Sequence, residues 1–509
     1  MEESMRRAIK SLSAVALLAS SSLLVPGRAG ALDTFLVGPR AMGMGGANIA
    51  STADTTAQYY NPAAFGFFAC RTASGGRIAC DNNNIGRKTW GFDLNASGGY
   101  RLHNEFGVYL DDLVDIDYQD LSRRGVQSES DLRDLIDLVK NLDGLDDPGN
   151  AITADVNAGL GIRVKSFGVG VRGFFQATGQ VVELDRQNLG IQAGDLDAQI
   201  AAVTVAGNDG AVLLLTPDQQ ERLREAGLSQ SSIQKIDFLA RGQGVSPAQA
   251  EGITDLLATV TAQSGGAAPG GTLDDNTTTV VLRGFAVAEL PISYGYALND
   301  HWSVGGNLKL MRGRVYATEI LVFDADSEDV LRDADKHYQE TNTFGIDLGV
   351  MGRYRMVNFG VVGRNLNTPK FDGPTRTTEL PGGPRTTRFP DVKIKPQFAA
   401  GVAFIPFETL TLEVDCDLTA NETTLPGYKT RNLSAGLEWD AFRFLALRVG
   451  ARKNLAESDI GVVYTAGLGL NLWAARLDVA GAFAAKREEF DGKDVPKETR
   501  AAAQFSVDF

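Results

Sequence analysis

Histidine and cysteine are scarce in this chain of 509 residues, with three of each. His103, His301 and His337 are scattered, and none neighbours a motif serine, so catalysis by a placed base and nucleophile has no visible machinery. Gly305-Gly306 and Gly43-x-Gly45-Gly46 lack the strand–turn–helix setting of a nucleotide loop, so no cofactor is expected. No spacing fits a metal site. Cys70 and Cys80 flank the loop RTASGGRIA, which an oxidising compartment would allow to close. That spacing is not CxxC, which separates the chain from thioredoxin-like proteins. Cys416 reads as a small hydrophobe on a strand. Past the N-terminus no apolar run is long enough for a membrane helix. Basic residues are also outnumbered, 49 against 63 acidic, for a net charge of −14. Nucleic-acid binding wants the opposite balance.

Residues 1–31 read as an export signal. Arg6, Arg7 and Lys10 precede an apolar core, Ala14–Val25, and Ala29-Gly30-Ala31 is a small-x-small cleavage site that leaves Leu32 as the first mature residue.

From Thr89 onward, apolar and polar residues alternate with period two. Ile152, Ala154, Val156, Ala158, Leu160, Ile162 and Val164 alternate with Thr153, Asp155, Asn157, Gly159, Gly161 and Arg163. Leu410, Leu412, Val414, Cys416 and Leu418 likewise face away from Thr409, Thr411, Glu413, Asp415 and Asp417. A soluble antiparallel sandwich also alternates. Segments of ten residues or so with ionised groups repeatedly on one face suit a transmembrane barrel with a wet lumen better. At the chain end, Ala501, Ala503, Phe505, Val507 and Phe509 alternate with Ala502, Gln504, Ser506 and Asp508. That ending resembles the signal read by the outer-membrane barrel assembly machinery, with Phe505, Val507 and Phe509 as its apolar positions.

Connections alternate between short and long. Tight turns fall at Lys165-Ser166, Asn299-Asp300, Arg355, Pro406-Phe407, Asp440-Ala441 and Ala474. Between them run Leu113–Ala151, Asp185–Thr277, Val322–Glu340, Asn367–Asp391, Thr419–Lys429, Asn454–Ser458 and Arg487–Glu498. Counting back from the last strand predicts an all-β fold, an antiparallel barrel of about fourteen strands over residues 89–509. Its first strand is expected around Glu105–Leu110, with Trp90–Ser97 merged into it or left in the preceding segment. The longest connection, 185–277, is predicted to carry helices. Thr216-Pro217-Asp218-Gln219 and Ser246-Pro247-Ala248-Gln249 open two of them, to about Ala226 and Ala262. Ile233, Ile236, Leu239 and Ala240 form an apolar stripe between these, and a further helix is expected over Asp131–Asn141.

The polar strand faces place Arg163, Arg172, Arg283, Arg353, Arg364, Arg448 and Arg476 in the lumen, beside Asp155, Asp347, Glu413, Asp415, Glu438 and Asp478. One reading is a salt-bridged interior that anchors whatever fills the barrel. The other is a polar track in which an arginine fork holds a carboxylate.

Residues 32–88 hold the most distinctive stretch, LVGPRAMGMGGANIASTADTTAQYYNPAAFGFF over Leu36–Phe68. So many glycines weaken regular structure and permit an irregular backbone packed closely inside something larger. Asn61-Pro62 suits a turn. Taken alone, this is an N-terminal loop with a turn.

Arg40, Met42, Gly43, Met44, Gly45 and Gly46, with Tyr60, Asn61, Pro62 and Ala63, resemble the N-terminal hatch of FadL-type outer-membrane channels. They also resemble a related barrel family labelled conjugal-transfer TraF-like. The resemblance implies a hatch inside a barrel in the outer membrane of a Gram-negative-type bacterium, surrounded by outer-membrane lipid, with helical extracellular loops above a ligand groove. The function it implies is passive uptake of a fatty-acid-like or other hydrophobic molecule. Such a ligand would pass Met42, Met44, Tyr59, Tyr60, Phe65, Arg353 and Arg448. The TraF-like alternative is a non-transporting component of conjugation, secretion or surface assembly, with 185–277 binding a protein partner. Neither implies an enzyme, and a lipid hydrolase lacks its Ser/His pair. A continuous apolar path past the hatch would favour transport, and a lumen plugged by paired charges the alternative.

Overall fold

A computed structural model describes residues 33–68, 71–72, 78–79, 90–116, 124–147, 149–185, 188, 195–264, 276–321, 338–378, 383–472, 474–490 and 492–508. The export signal, Cys70, Cys80 and Phe509 lie outside the described residues.

The alternating segments close into one barrel of fourteen strands. In chain order these are β1 (Trp90–His103), β2 (Ala151–Val164), β3 (Phe167–Glu183), β4 (Thr279–Ala297), β5 (Trp302–Leu321), β6 (Tyr338–Tyr354) and β7 (Val357–Arg364). They continue with β8 (Gln397–Phe407), β9 (Leu410–Asp417), β10 (Asn432–Ala441), β11 (Leu445–Asn454), β12 (Val462–Leu472), β13 (Ala475–Ala484) and β14 (Glu498–Asp508). Every neighbour pair is antiparallel, and β14 closes on β1 with Glu498 opposite Arg101 and Asp508 opposite Gly91. Closure leaves no unpaired edge along that seam, which lipid requires. Outward residues such as Leu94, Leu160, Val171, Leu290, Leu310, Val414, Val449, Val479 and Phe505 are exposed, while the alternate positions are buried and polar. This is the inside-out pattern of an outer-membrane barrel.

One strand and two turns differ from expectation. Glu105–Leu110 is not the first strand. Phe106–Asp115 is a helix, α1, whose Phe106, Tyr109 and Leu113 are buried at helical spacing, and Trp90–His103 is the whole first strand. The turns placed at Pro406-Phe407 and Asp440-Ala441 come later, because β8 runs on to Phe407 and β10 to Ala441. Phe442 and Arg443 then turn with φ of 56° and 63°.

Five more helices are α2 (Glu129–Asp146), α3 (Leu196–Ala202), α4 (Pro217–Glu225), α5 (Gln230–Gly242) and α6 (Gln249–Ser264). Thr216 and Gln219 form the expected capping box of α4. Ser246 accepts from the Gln249 N–H at the start of α6. Ile233, Ile236, Leu239 and Ala240 are buried as one face of α5.

These helices share a core with Leu102, Ile152, Val181, Val280, Leu282 and Ile320. On their strands those residues have the parity of the lipid-facing Leu94, Leu160, Val171, Leu290 and Leu310. The helical domain therefore packs on outward-facing residues of β1–β5. Strands β3 to β6 are long enough to protrude, at 17, 19, 20 and 17 residues. By contrast, β7 and β9 have 8 residues each.

The mouth is filled instead by the connection between β7 and β8. Phe371, Val392 and Ile394 join a lumen cluster with Phe174, Phe285, Met311 and Val315. Phe389 packs on Val281. A Cβ on Gly313 would meet the Phe371 ring at 2.2 Å, so the close seat of that ring depends on glycine there.

Candidate functional site

The stretch Asp33–Phe68 threads the lumen, and its small residues explain how. Gly45, at φ +70°, lies so close to β11 that a Cβ would meet the Ala451 carbonyl oxygen at 2.5 Å. Met44 sits against Gly436 of β10, where a Cβ would meet the Met44 carbonyl oxygen at 2.4 Å. Backbone thus packs on backbone, and any side chain there would push the hatch off the wall. Short helical turns, Pro39–Gly43 and Ala57–Tyr60, separate the bends. Asn61 caps the next turn by accepting from the Ala63 N–H at 3.1 Å, and its amide donates to the carbonyls of Ile49 and Val350, each at 3.2 Å. All of its polar reach is used, which accounts for Asn rather than another turn residue.

Charges fasten this segment to one side of the barrel. Arg40 Nη2 is 2.9 Å from Glu438 Oε1, and Arg448 Nε is 2.5 Å from Glu438 Oε2. Arg448 also reaches Asp478 at 2.7 Å, and Arg476 reaches Asp478 at 2.8 Å. The Asn48 and Ile49 N–H groups donate to Asp415 at 2.7 and 2.9 Å, and the Ala50 N–H to Glu413 at 2.6 Å. Asp33 pairs with Arg101 at 2.6 Å. Burial pushes the Asp33 carboxyl up, but the Arg101 charge, with hydrogen bonds from Thr430, Arg101 and Thr34, holds it below its ordinary range. Arg101 belongs to a second network with Asp155, Arg500, Glu498 and Arg452.

The other side is held by hydrogen bonds and rings, with Asn307 donating to the Gln58 carbonyl at 2.6 Å and Ser303 to the Ala63 carbonyl at 2.7 Å. Tyr59 and Tyr60 accept the N–H groups of Phe35 and Val37 at 2.8 and 2.9 Å. Burial pushes the Tyr59 hydroxyl up to about 12, so it is protonated at neutral pH. Arg364 of β7 lies 4.8 Å over the Tyr59 ring and donates to the Tyr59 carbonyl at 2.8 Å. Two cavities meet at this contact. One, of about 50 Å³, is lined by Phe35, Ile49, Tyr59, Tyr60, Arg364 and Asp417, among others. The second, of about 20 Å³, is lined by Phe35, Tyr59, Phe174, Lys309, Arg364 and Ile394, among others. Phe35, Tyr59 and Arg364 are common to both.

Of the residues expected on a ligand path, Tyr59 and Tyr60 line these cavities. Met42 packs with Val463 and Ala482 in the wall. Arg448 is fully buried between two carboxylates. Phe65 packs on Phe68, and Arg353 lies over Phe67 at 4.2 Å. Met42, Met44, Phe65, Arg353 and Arg448 line neither cavity. The arginines and carboxylates expected inside do point inward. Alternation alone had not singled out Asp33, Arg101, Lys309, Arg452, Glu498 and Arg500. The parity of Arg101, Arg452 and Arg500 on their strands was the available signal. Phe505 points outward and Asp508 inward to Arg163 at 3.0 Å, as the terminal pattern predicted.

Comparison with known proteins adds a family. The model described as "F plasmid transfer operon, TraF, protein" matches residues 58–417. That span starts inside the hatch motif, includes Tyr59 to Ala63 and leaves out the glycine cluster. Comparison with curated proteins gives no match. Among solved structures, the chain is similar to the Ralstonia pickettii toluene transporter TbuX at 10% identity, covering 94% of this chain and 99% of that one, with a TM-score of 0.46. It is similar to the CymD monoaromatic hydrocarbon channel at 11% identity, covering 94% and 99%, with a TM-score of 0.48. A Pseudomonas aeruginosa FadL homologue is 10% identical, covering 95% and 99%, with a TM-score of 0.43.

Proposed function

The chain belongs to the TraF family whose model spans residues 58–417, and on that premise we propose that this outer-membrane barrel is a passive channel for hydrophobic or amphipathic small molecules. The observation that carries the reading is the pair of lumen cavities separated by Tyr59 and Arg364. Their linings mix aromatic rings with a few charged groups, and at their size they hold only waters until the Tyr59 side chain moves. A solute would enter one cavity, displace the Tyr59 side chain and pass to the other. The hatch would swing on the side held by hydrogen bonds and rings, with its ion-paired side as the hinge.

A second reading has its own support. Arg40, Asp33 and the Asn48–Ala50 backbone tie the hatch firmly to the barrel, which suits a non-transporting component of conjugation, secretion or surface assembly. Its partner would meet the helical domain of 185–277.

Uptake into proteoliposomes separates the two readings. Aromatic hydrocarbons and medium-chain carboxylates should equilibrate faster with the protein than without it. A rate equal to that of empty liposomes for every solute would leave the assembly reading.

A further inference from the structure

The barrel mouth concentrates arginine in an otherwise acidic chain. On the inner face of β4, Arg283 has buried Nε and Nη1 atoms with no hydrogen-bond partner and no ion pair among the described residues. Below it on β3, the fully buried Gln176 amide leaves both its oxygen and its nitrogen without a partner. Gln176 stands opposite Phe285, two residues from Arg283, so the two side chains are diagonal neighbours on one face. Glu319 of β5 is diagonal to Arg283 on the other side, since Val281 faces Glu319 and Arg283 faces Ala317.

The filling connection adds two more guanidiniums. Thr375–Thr378 pairs with Arg385–Arg388, placing Arg376 opposite Thr387 and Thr378 opposite Arg385. Arg376 and Arg385 therefore share one face of this hairpin. That face meets β5, because Arg385 Nη2 lies 3.3 Å from Glu319 Oε2. Arg376 makes no ion pair among the described residues, and burial lowers its guanidinium against the pull of Glu319. Among the described residues, Arg385 and Arg376 thus face one carboxylate, with Arg283 and an unbonded amide on the wall diagonal to it. Buried charge of one sign without its counterpart is unfavourable unless a ligand supplies it.

We propose that Arg283, Arg376 and Arg385 around Glu319 form a binding site for the anionic group of an organic solute, with Gln176 as a further donor. Among the described residues Arg283 and Arg376 are the two guanidiniums left to be matched, so a phosphate or a carboxylate fits. Phe285 and Phe371 are fully buried with their rings 4.8 Å apart, so the apolar body of the solute would lie beside Phe285 by displacing the Phe371 ring from its seat on Gly313. The site deepens the channel reading by giving the solute class, and it lies on the outer side of the Tyr59 partition. Arginine is suited to it because its planar fork matches both oxyanions.

Equilibrium dialysis of the full-length protein in neutral detergent tests the site without any transport. Phenyl phosphate and benzoate should bind, and phenol and benzyltrimethylammonium should not. Arg283→Gln with Arg376→Gln should weaken phenyl phosphate by about tenfold or more, the loss expected for two charge-assisted bonds. Arg283→Lys should retain part of the binding. If the double variant melts early, Arg376→Gln alone carries the comparison, because it lies on a hairpin outside the barrel wall. Phenol binding as well as phenyl phosphate, or unchanged binding in a folded double variant, would overturn the proposal. Inorganic phosphate binding as tightly as phenyl phosphate would overturn the solute assignment. Binding without uptake in proteoliposomes would refute the channel and leave the site standing.

Discussion

Arg364 lies 4.8 Å over the ring of Tyr59 and donates a 2.8 Å hydrogen bond to the Tyr59 carbonyl. One side chain of the barrel thus holds both the ring and the backbone of a residue that lines both cavities. A guanidinium over an aromatic face is attracted by its quadrupole at roughly 1 kcal/mol. That is weak enough for a passing solute to replace.

Tyr59→Ala should therefore join the two cavities. Truncating a half-buried aromatic ring should destabilise the protein by about 2 kcal/mol, below the loss of 3 to 5 seen for fully buried rings. Solute entry into proteoliposomes should rise at equal protein loading. An unchanged rate in a variant that still shows the folded, heat-modifiable band on a gel would remove Tyr59 from the path.

Gly45→Val should detach the hatch. The new Cβ meets the Ala451 backbone at 2.5 Å, and φ of +70° is unfavourable for a branched residue. The barrel itself should still form, because its strands pair with one another and not with Gly45. Limited proteolysis should then cut within Leu36–Phe68 in the variant only. Equal protection of both proteins would mean that the close approach is not what seats the hatch.

Asn61→Ala should be milder. The substitution removes one cap and leaves the Ile49 and Val350 carbonyls without their donor, a loss of about 1 to 2 kcal/mol. Denaturant melts of hatch protection by hydrogen exchange would read it, and no change would contradict the assigned hydrogen bonds.

The Asp33 attachment sets a pH limit. Its folded pKa is below the ordinary 3.8, so its contribution is fully present above that value and is lost as pH falls through the folded pKa. Proteolytic protection of the first hatch residues should hold from neutral pH down to about 4 and fail below it. In Asp33→Asn this transition should disappear. Release beginning near neutral pH would point to another group.

The sequence carried the barrel because period-two alternation is a direct consequence of a two-faced wall. Ile152–Val164 and Leu410–Asp417 could be read residue by residue. What misled was local. Glu105–Leu110 has the composition of a short strand, yet Phe106, Tyr109 and Leu113 recur at helical spacing and bury together. The turn at Phe442-Arg443 has two positive φ angles without glycine or asparagine, so turn chemistry placed it early. Glycines and Asn-Pro marked an irregular, closely packed backbone over Leu36–Phe68, but the hatch itself came from the family resemblance of that motif. Met42 and Met44 were not. A thioether suits a ligand surface or a packed wall equally, and only the fold places them in the wall. The side on which the helical domain rests was also hidden, since strand parity at Val280 and Leu282 has meaning only once their neighbours are known.

Movement of the hatch is the central claim, and a reversible staple tests it most directly. Next to Tyr59, the Gln58 side-chain amide donates to the Ser293 hydroxyl of β4 at 3.2 Å, so Gln58→Cys with Ser293→Cys points two side chains at one contact on the moving side of the hatch, on a chain whose described native cysteine, Cys416, lies on another strand. Proteoliposomes bearing the oxidised protein, with the disulfide verified by mass spectrometry, should take up apolar solute at the rate of empty liposomes. Reductant should restore the rate of the unstapled protein. Equal uptake in the oxidised and reduced states would contradict a moving hatch.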